Sequence, residues 1–103
     1  MEQRDFNKDA ATWDENPGRI KAASDIADTV LKEIGFSPEM DVLDFGCGTG
    51  LVTLRLSPFA RSVTGVDSST GMLDILKAKI EKGNIQNVQT RYLDPEQGDL
   101  PNN

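Results

Sequence analysis

Apolar side chains recur at spacings of three and four in two stretches of this chain, and each stretch predicts an amphipathic helix. The first begins at Pro17, which suits the opening turn of a helix, and ends at a cap on Gly35. The second covers residues 68–82, and a shorter helix runs from Leu51 to Pro58. The side chains expected to face inward are Ile20, Ala23, Ala27, Val30 and Ile34 on the first helix and Met72, Leu73, Leu76 and Ile80 on the second.

Three short segments between these helices have the composition of β-strands. They cover residues 41–45, 62–66 and 88–93, and the apolar run of the first indicates a buried strand. Helices and strands alternate with short connections, which favours an α/β fold with a parallel sheet and right-handed crossovers. In such a sheet the ligand crevice lies beyond the carboxyl ends of the strands.

The length, charge and composition of the chain exclude several classes of protein. The 103 residues fit one domain, no stretch approaches the roughly 20 apolar residues of a membrane span, and the charged N-terminus lacks the apolar core of a signal peptide. The net charge of −6 disfavours nucleic-acid binding. With no histidine and one cysteine, we expect no metal site, no disulfide and a cytoplasmic protein.

A glycine-rich loop, Gly46-Cys47-Gly48-Thr49-Gly50, joins the first strand to the short helix. Its glycines let the chain turn sharply and let a ligand approach the main chain. Backbone N–H groups at the start of the helix can then meet an anionic group such as a carboxylate. A plain turn needs one glycine, so three alternating glycines favour a ligand-binding loop. Cys47 has no histidine to activate it and is interpreted as a small loop residue.

Acidic residues mark all three predicted strands near their carboxyl ends. Asp67, 21 residues after Gly46, is placed to accept hydrogen bonds from two ribose hydroxyls, although Asp67 or Ser68 could instead cap the next helix. Asp94 could accept from the amine of an adenine or could open a turn. Asp44 lies within a strand, so we expect it either to cap loop N–H groups or to face the ammonium group of a ligand.

Two aromatic residues and one methionine have a ligand-binding and a structural interpretation. Phe6 and Trp13 are seven residues apart, so a helical leader would place both on one face. Met72 belongs to an apolar stripe that is more typical of a core than of a platform for a nucleobase.

Taken together, these segments resemble class I S-adenosylmethionine-dependent methyltransferases. Residues 42–50 (VLDFGCGTG) are similar to the first motif of that family, and residues 65–73 (GVDSSTGML) to the segment after its second strand. Leu93-Asp94, followed by Leu100-Pro101, is similar to the segment after the third strand. Residues 6–19, with Ala-Thr-Trp-Asp-Glu-Asn-Pro, resemble the leader helix of the branch that acts on small molecules.

The resemblance implies a Rossmann-like parallel sheet in the order 3-2-1 with flanking helices, and a set of roles. The loop would approach the methionine part of the cofactor, which Asp44 helps to orient. Asp67 would bind the ribose, while Met72 would flank the adenine and Asp94 bind its amine. Phe6 and Trp13 would belong to a lid over the site, although both could instead be packing anchors. The implied cofactor-binding residues are Asp44, Gly46, Cys47, Gly48, Gly50, Asp67, Ser68, Met72 and Asp94, with no catalytic residue and no metal.

The family fold is seven-stranded, whereas this sequence stops after the third strand. We therefore expect residues 1–103 to be the N-terminal part of one methyltransferase domain, with a lid-like leader in 1–16 and the cofactor half in 17–103. The expected function is S-adenosylmethionine binding and, in the parent protein, methyl transfer to a small molecule. The isolated chain would be inactive and could self-associate through the edge of the first strand.

Two other functions are open to this sequence. One is a half-domain for a nicotinamide dinucleotide, but that fingerprint places a third glycine where Leu51 stands. The other is a truncated, non-enzymatic module that binds a nucleoside ligand or a partner.

Overall fold

The structure is a computed structural model that describes residues 6–94. Three parallel strands form one sheet in the order β1-β2-β3: β1 (Asp41–Phe45), β2 (Ser62–Asp67) and β3 (Val88–Tyr92). The helices are α1 (Phe6–Ala10), α2 (Pro17–Ile34), α3 (Leu51–Leu56) and α4 (Thr70–Lys82), with 3₁₀ turns at Trp13–Glu15 and Ser57–Phe59. The predicted parallel α/β fold and its strand order are confirmed.

Capping side chains determine where the two long helices begin. The Asn16 side chain accepts hydrogen bonds from the backbone N–H of Gly18 at 2.8 Å and of Arg19 at 3.4 Å, so α2 starts at Pro17 as predicted. Helix α4 starts at residue 70 rather than 68, because Ser69 is its cap and accepts from the backbone N–H of Met72 at 3.1 Å.

Helices α2, α3 and α4 all cover the same face of the sheet. Val63 of β2 packs in a cluster with Ala27 of α2 and Leu56 of α3. Gly65, two residues further along the strand and therefore on the same face, lies against Leu76 of α4. The core thus sits between one face of the sheet and three helices.

The apolar stripe of α2 is buried only at its centre. Ala23 and Ala27 are buried, but Ile20 and Ile34 at its ends are exposed, contrary to expectation. An 18-residue helix is about 27 Å long, whereas the five residues of β1 span only about 17 Å. Both ends of α2 therefore extend past the sheet.

Strand β1 is an edge strand, so the expectation of a buried strand is wrong for this structure. Among residues 6–94 it pairs only with β2, and Leu43 and Phe45 are 56% and 54% exposed. The apolar run is present, but α2, α3 and α4 cover the face to which Val42 points. Leu43 and Phe45 alternate onto the opposite face, which no element among residues 6–94 covers, and they are therefore exposed.

Candidate cofactor site

All three glycines of the loop adopt a backbone conformation that other residues rarely tolerate. Gly46, Gly48 and Gly50 have φ angles of 71°, 58° and 87°. The backbone N–H groups of Gly46 and Cys47 both donate to the carbonyl of Val66, at 2.7 and 3.0 Å, which fixes the loop against β2. This bracing holds the loop at the carboxyl end of the sheet.

The three glycines differ in what surrounds them. A Cβ on Gly50 would lie 2.3 Å from Leu76 Cδ1, so this glycine allows α4 to pack against the loop. A Cβ on Gly46 would meet nothing within 4 Å. At Gly48 it would lie 3.9 Å from both Met72 Sδ and Trp13 Nε1. Gly46 and Gly48 thus present bare main chain to a cavity, whereas Gly50 serves packing.

Asp67 connects the loop to the start of α4. Its Oδ2 accepts from the backbone N–H of Gly48 at 2.8 Å, and its Oδ1 accepts from the backbone N–H of Ser69 at 2.8 Å. A carboxylate offers roughly four acceptor positions. Each oxygen therefore retains capacity to accept a further hydrogen bond from a ligand.

A cavity of about 440 Å³ opens beside this carboxylate. Its volume lies within the range of roughly 300–1,000 Å³ that is usual for small-molecule sites. Leu93 and Phe45 contribute to its wall. The sequence-predicted residues that line it are Gly46, Gly48, Asp67, Ser68 and Met72, together with Phe6 and Trp13 of the leader.

Four of the nine predicted cofactor-binding residues do not line this cavity. Gly50 packs against α4, and Asp94 follows the wall residue Leu93. Asp44 accepts a hydrogen bond from the Thr53 hydroxyl at 2.6 Å. Burial, followed by the charge of Asp67, raises the pKa of the Asp44 carboxyl, against the lowering effect of the Thr53 hydrogen bond.

Cys47 is a core residue with an unreactive thiol. Its Sγ would lie 2.8 Å from a Cβ on Gly65, and the side chain packs in a buried cluster with Leu73 and Leu76. Burial, reinforced by the charges of Asp67 and Asp44, raises the pKa of the thiol to about 12. The side chain is therefore no nucleophile at neutral pH, in agreement with the interpretation of Cys47 as a small loop residue.

The leader, residues 6–16, is held over the cavity by polar anchors at both ends. Asn7 Oδ1 accepts from the Ser69 hydroxyl at 2.5 Å and from the Gly71 backbone N–H at 2.6 Å. At the other end, Asp14 Oδ1 accepts from the hydroxyl of Thr49, which is 1% exposed, at 2.6 Å. Between them, the rings of Phe6 and Trp13 meet edge to face, with centroids 6.0 Å apart.

Sequence reasoning did not identify these anchors. Asn7 and Asp14 repeat the spacing of seven that drew attention to Phe6 and Trp13, so their positions on the leader were available as a signal. Nothing in the local sequence marks Ser69 as the partner of Asn7 or Thr49 as the partner of Asp14. Across residues 6–94, no cluster of potential metal ligands is present, and no helix is long and apolar enough to cross a membrane.

The family profile described as "Methyltransferase domain" matches residues 42–103. The chain is 31% identical over 103 residues to a malonyl-[acyl-carrier protein] O-methyltransferase of Acetivibrio thermocellus, covering 95% of this chain and 34% of that protein. It is 48% identical over 52 residues to a demethylmenaquinone methyltransferase of Leptospira interrogans, covering 48% of this chain and 21% of that protein.

Among solved structures, the fold is similar to that of a putative S-adenosyl-L-methionine-dependent methyltransferase from Methanococcus maripaludis. The TM-score is 0.77 at 22% identity, over 98% of this chain and 47% of that one. The chain therefore belongs to the methyltransferase domain family, whose cofactor is S-adenosylmethionine. It spans about a third of the length of the Acetivibrio relative and about a fifth of that of the Leptospira relative.

Proposed function

We propose that this chain supplies the S-adenosylmethionine-binding half of a methyltransferase that acts on a small molecule. The observation that carries the proposal is the position of Asp67, whose carboxylate shares one cavity with the bare main chain of Gly46 and Gly48. In this proposal the leader, within residues 1–16, acts as the lid, and residues 17–103 form the cofactor half.

Three properties of the cavity fit this cofactor. Asp67 has unused acceptor positions for the ribose hydroxyls. Trp13, Phe6 and Met72 give an apolar wall suited to a nucleobase. Asp67 and the nearby Asp44 make the surroundings of the loop negative, as a cofactor with a sulfonium and an ammonium group requires.

The remaining predicted residues have supporting roles in the proposal. Gly46, Cys47 and Gly48 would meet the methionine part of the cofactor with their main chain. Ser68, which lines the cavity, would lie beside the ribose. Asp94, next to the wall residue Leu93, would accept from the adenine amine. Gly50 would keep the loop packed on α4.

The bound cofactor would supply an activated methyl group on its sulfonium, and this half of the protein would supply alignment rather than a covalent catalyst. The relatives are named for malonyl-[acyl-carrier protein] and demethylmenaquinone, which supports a metabolite acceptor. Because the chain covers about a third of the first of these proteins, we propose that residues 1–103 alone bind the cofactor but do not catalyse methyl transfer.

Calorimetric titration of the chain with S-adenosylhomocysteine and, in parallel, with NAD tests the proposal. We expect the former to bind and the latter not to bind. Asp67→Asn should weaken S-adenosylhomocysteine binding by about 1.5–3 kcal/mol, the scale of a lost hydrogen bond to a charged group. The exposed Asp74→Asn on α4 is the matched control and should bind normally. Preferential binding of NAD, or an Asp67→Asn variant with unchanged affinity, would contradict the proposed function.

A further inference from the structure

The leader meets the first turn of α4 so closely that Gly71 has no room for a side chain. A Cβ on Gly71 would lie 2.9 Å from the Cα of Asn7 and 3.1 Å from its carbonyl oxygen. Rotating a side chain cannot relieve contacts with backbone atoms, so a larger residue at this position would displace the leader. Because alanine is the more favourable residue inside a helix, this glycine serves the close approach of the two segments.

The Asn7 side chain completes the N-terminal cap of α4. Its Oδ1 accepts from the backbone N–H of Gly71, one of the N–H groups that the first turn of a helix leaves unpaired. The same oxygen accepts from the hydroxyl of Ser69, whose Oγ in turn accepts from the backbone N–H of Met72. Ser69 is 4% exposed, so without Asn7 a buried hydroxyl would lose its acceptor. The cap of α4 is therefore complete only when the leader is docked.

This cap also holds the carboxylate of Asp67. Asp67 Oδ1 accepts from the backbone N–H of Ser69, two residues further on, which is an Asx turn. The carboxylate and Ser69 are the two ends of this turn, and Ser68 between them lines the cavity. Two hydrogen bonds thus connect the leader to the carboxylate, one from the Ser69 hydroxyl to Asn7 and one from the Ser69 main chain to Asp67.

The other oxygen of Asp67 is held in a different way. Oδ2 accepts from the backbone N–H of Gly48, and the glycine loop is fixed against β2 by its own bonds to the carbonyl of Val66. The leader reaches this loop where Asp14 accepts from the Thr49 hydroxyl, but that contact is made to a loop that is already braced. The leader therefore acts on the carboxylate of Asp67 mainly through Asn7 and the Asx turn.

We propose that Asn7 is a positioning residue for the ribose-binding carboxylate, and that docking of the leader on α4 fixes Asp67 in the orientation that receives the ribose hydroxyls. The inference rests on the proposed function. It gives the leader a second role besides covering the cavity with Phe6 and Trp13. The leader and the ribose act on one carboxylate, so each stabilises the arrangement that the other binds. A ligand without ribose hydroxyls is covered by the leader but gains nothing from this coupling.

The test compares S-adenosylhomocysteine with its dideoxyribose analogue, which lacks both ribose hydroxyls and is otherwise the same. Calorimetry on the whole chain gives the ratio of their affinities, which measures how well Asp67 receives the ribose. Asn7→Leu replaces the amide by an apolar side chain of similar shape and should reduce this ratio about three- to tenfold, the scale of one lost hydrogen bond. Asn7→Asp keeps the acceptor, suits the N-terminus of a helix and should restore the wild-type ratio.

Gly71→Ala tests the same coupling without changing a hydrogen-bonding side chain. Alanine favours the helix, so α4 should stay folded while the leader is displaced, and the ratio should fall as it does in Asn7→Leu. Asp14→Asn is the control, since it loosens the other end of the leader and should weaken both ligands equally.

Equal weakening of both ligands in Asn7→Leu would show that the leader only covers the cavity, and that result would overturn the proposal. Unchanged affinities in Asn7→Leu, or an unchanged ratio in Gly71→Ala, would overturn it as well, while leaving the proposed function intact. If wild type binds neither ligand, or binds both equally well, the proposed role of Asp67 and this inference both fail.

Discussion

Lys79 of α4 forms an ion pair with Asp14 of the leader, with 2.6 Å between Nζ and Oδ2. The same ammonium donates to the carbonyl of Thr49 at 2.9 Å, and the Thr49 hydroxyl donates to Asp14. One lysine thereby ties the leader, the glycine loop and α4 together. Since the two charged side chains are only 27% and 33% exposed, solvent screens this pair less than an ordinary surface pair.

We expect Lys79→Met and Asp14→Asn each to loosen the leader and to weaken S-adenosylhomocysteine binding about three- to tenfold, since the pair contributes about 1 kcal/mol. Trp13 is the only tryptophan in the chain, so its fluorescence should shift to the red in both variants as the leader becomes more solvated. Lys77→Met, an exposed position on the same helix, is the control. Native affinity and fluorescence in both variants would show that the leader is held without the pair.

A second prediction uses two glycines with the same backbone strain. Gly46 and Gly35 have φ angles of 71° and 68°, and a Cβ at either position meets nothing within 4 Å. Alanine at each should therefore cost a similar 1–2 kcal/mol or so of stability. Only the methyl group at Gly46 enters the cavity, so only Gly46→Ala should reduce cofactor affinity, by at least about tenfold.

Chemical denaturation and calorimetry on the two variants check this prediction. Equal losses of stability combined with equal, native-like affinities would mean that the cofactor does not approach Gly46. A loss of affinity in Gly35→Ala, which caps α2 away from the cavity, would mean that backbone strain rather than cavity shape controls binding.

The elements of the fold were predictable because each carries its own periodic pattern, whereas the anchors of the leader were not. Asn7 and Ser69 are 62 residues apart, and Asp14 and Thr49 are 35 apart. A polar residue on an amphipathic segment does not indicate its partner. The start of α4 posed a similar problem, since consecutive residues from Asp67 to Ser69 can all cap a helix. In the structure Asp67 is engaged with Gly48, and Ser69 is the cap.

In the candidate site, too, the local motifs were predictable from the sequence and the long-range contacts were not. Glycines after a strand and an acid about 20 residues further on are a pattern that predicts a nucleotide crevice, and Gly46, Gly48 and Asp67 do line one cavity. The pattern could not show that Gly50 is required by Leu76 or that Asp44 contacts Thr53, because both depend on how α3 and α4 pack. The sequence pattern predicted that these residues lie at the carboxyl end of the sheet, and the packing of the helices determined which of them face the cavity.

The third prediction concerns pH. Burial raises the pKa of Asp44, so its ionised form is less stable in the folded chain than in the unfolded one. This destabilisation is fully present above the raised native pKa and disappears as the pH falls below the unfolded value of about 3.9. Asp44→Asn should consequently be more stable than wild type at pH 7 and equally stable near pH 3.

Thermal melts of both proteins across this range check the sign of the effect. The same substitution should weaken S-adenosylhomocysteine binding several-fold, because it removes negative charge near the loop. Asp41→Asn is the opposite control: Arg61 and Ser62 hold the pKa of Asp41 well below its usual range, so its loss should lower stability at pH 7. A less stable Asp44→Asn at pH 7 would contradict the assigned cause.

The fourth prediction concerns the free edge of β1. We predict that two copies of residues 1–103 pair antiparallel through this edge, with Leu43 facing its own symmetry mate, because exposed apolar edge strands recruit other chains. Leu43→Lys should shift the chain towards monomer in sedimentation experiments. Ile20→Lys, which removes an exposed isoleucine from α2 instead, should not. A wild-type monomer at high concentration, with β1 amides protected from hydrogen exchange as strongly as those of β2, would contradict the pairing.

Because Cys47 is buried, the rate at which its thiol is alkylated reports motion of the glycine loop. It is the only cysteine in the chain, and its thiol is enclosed between Gly65 and the side chains of α4. An alkylating reagent reaches the sulfur when the loop lifts from the helix, so the labelling rate is the intrinsic rate of the exposed thiol multiplied by the fraction of time for which the loop is open. A ligand that bridges the loop and Asp67 would lower the alkylation rate. The ratio of the rates without and with ligand would give the free energy by which the ligand stabilises the closed loop.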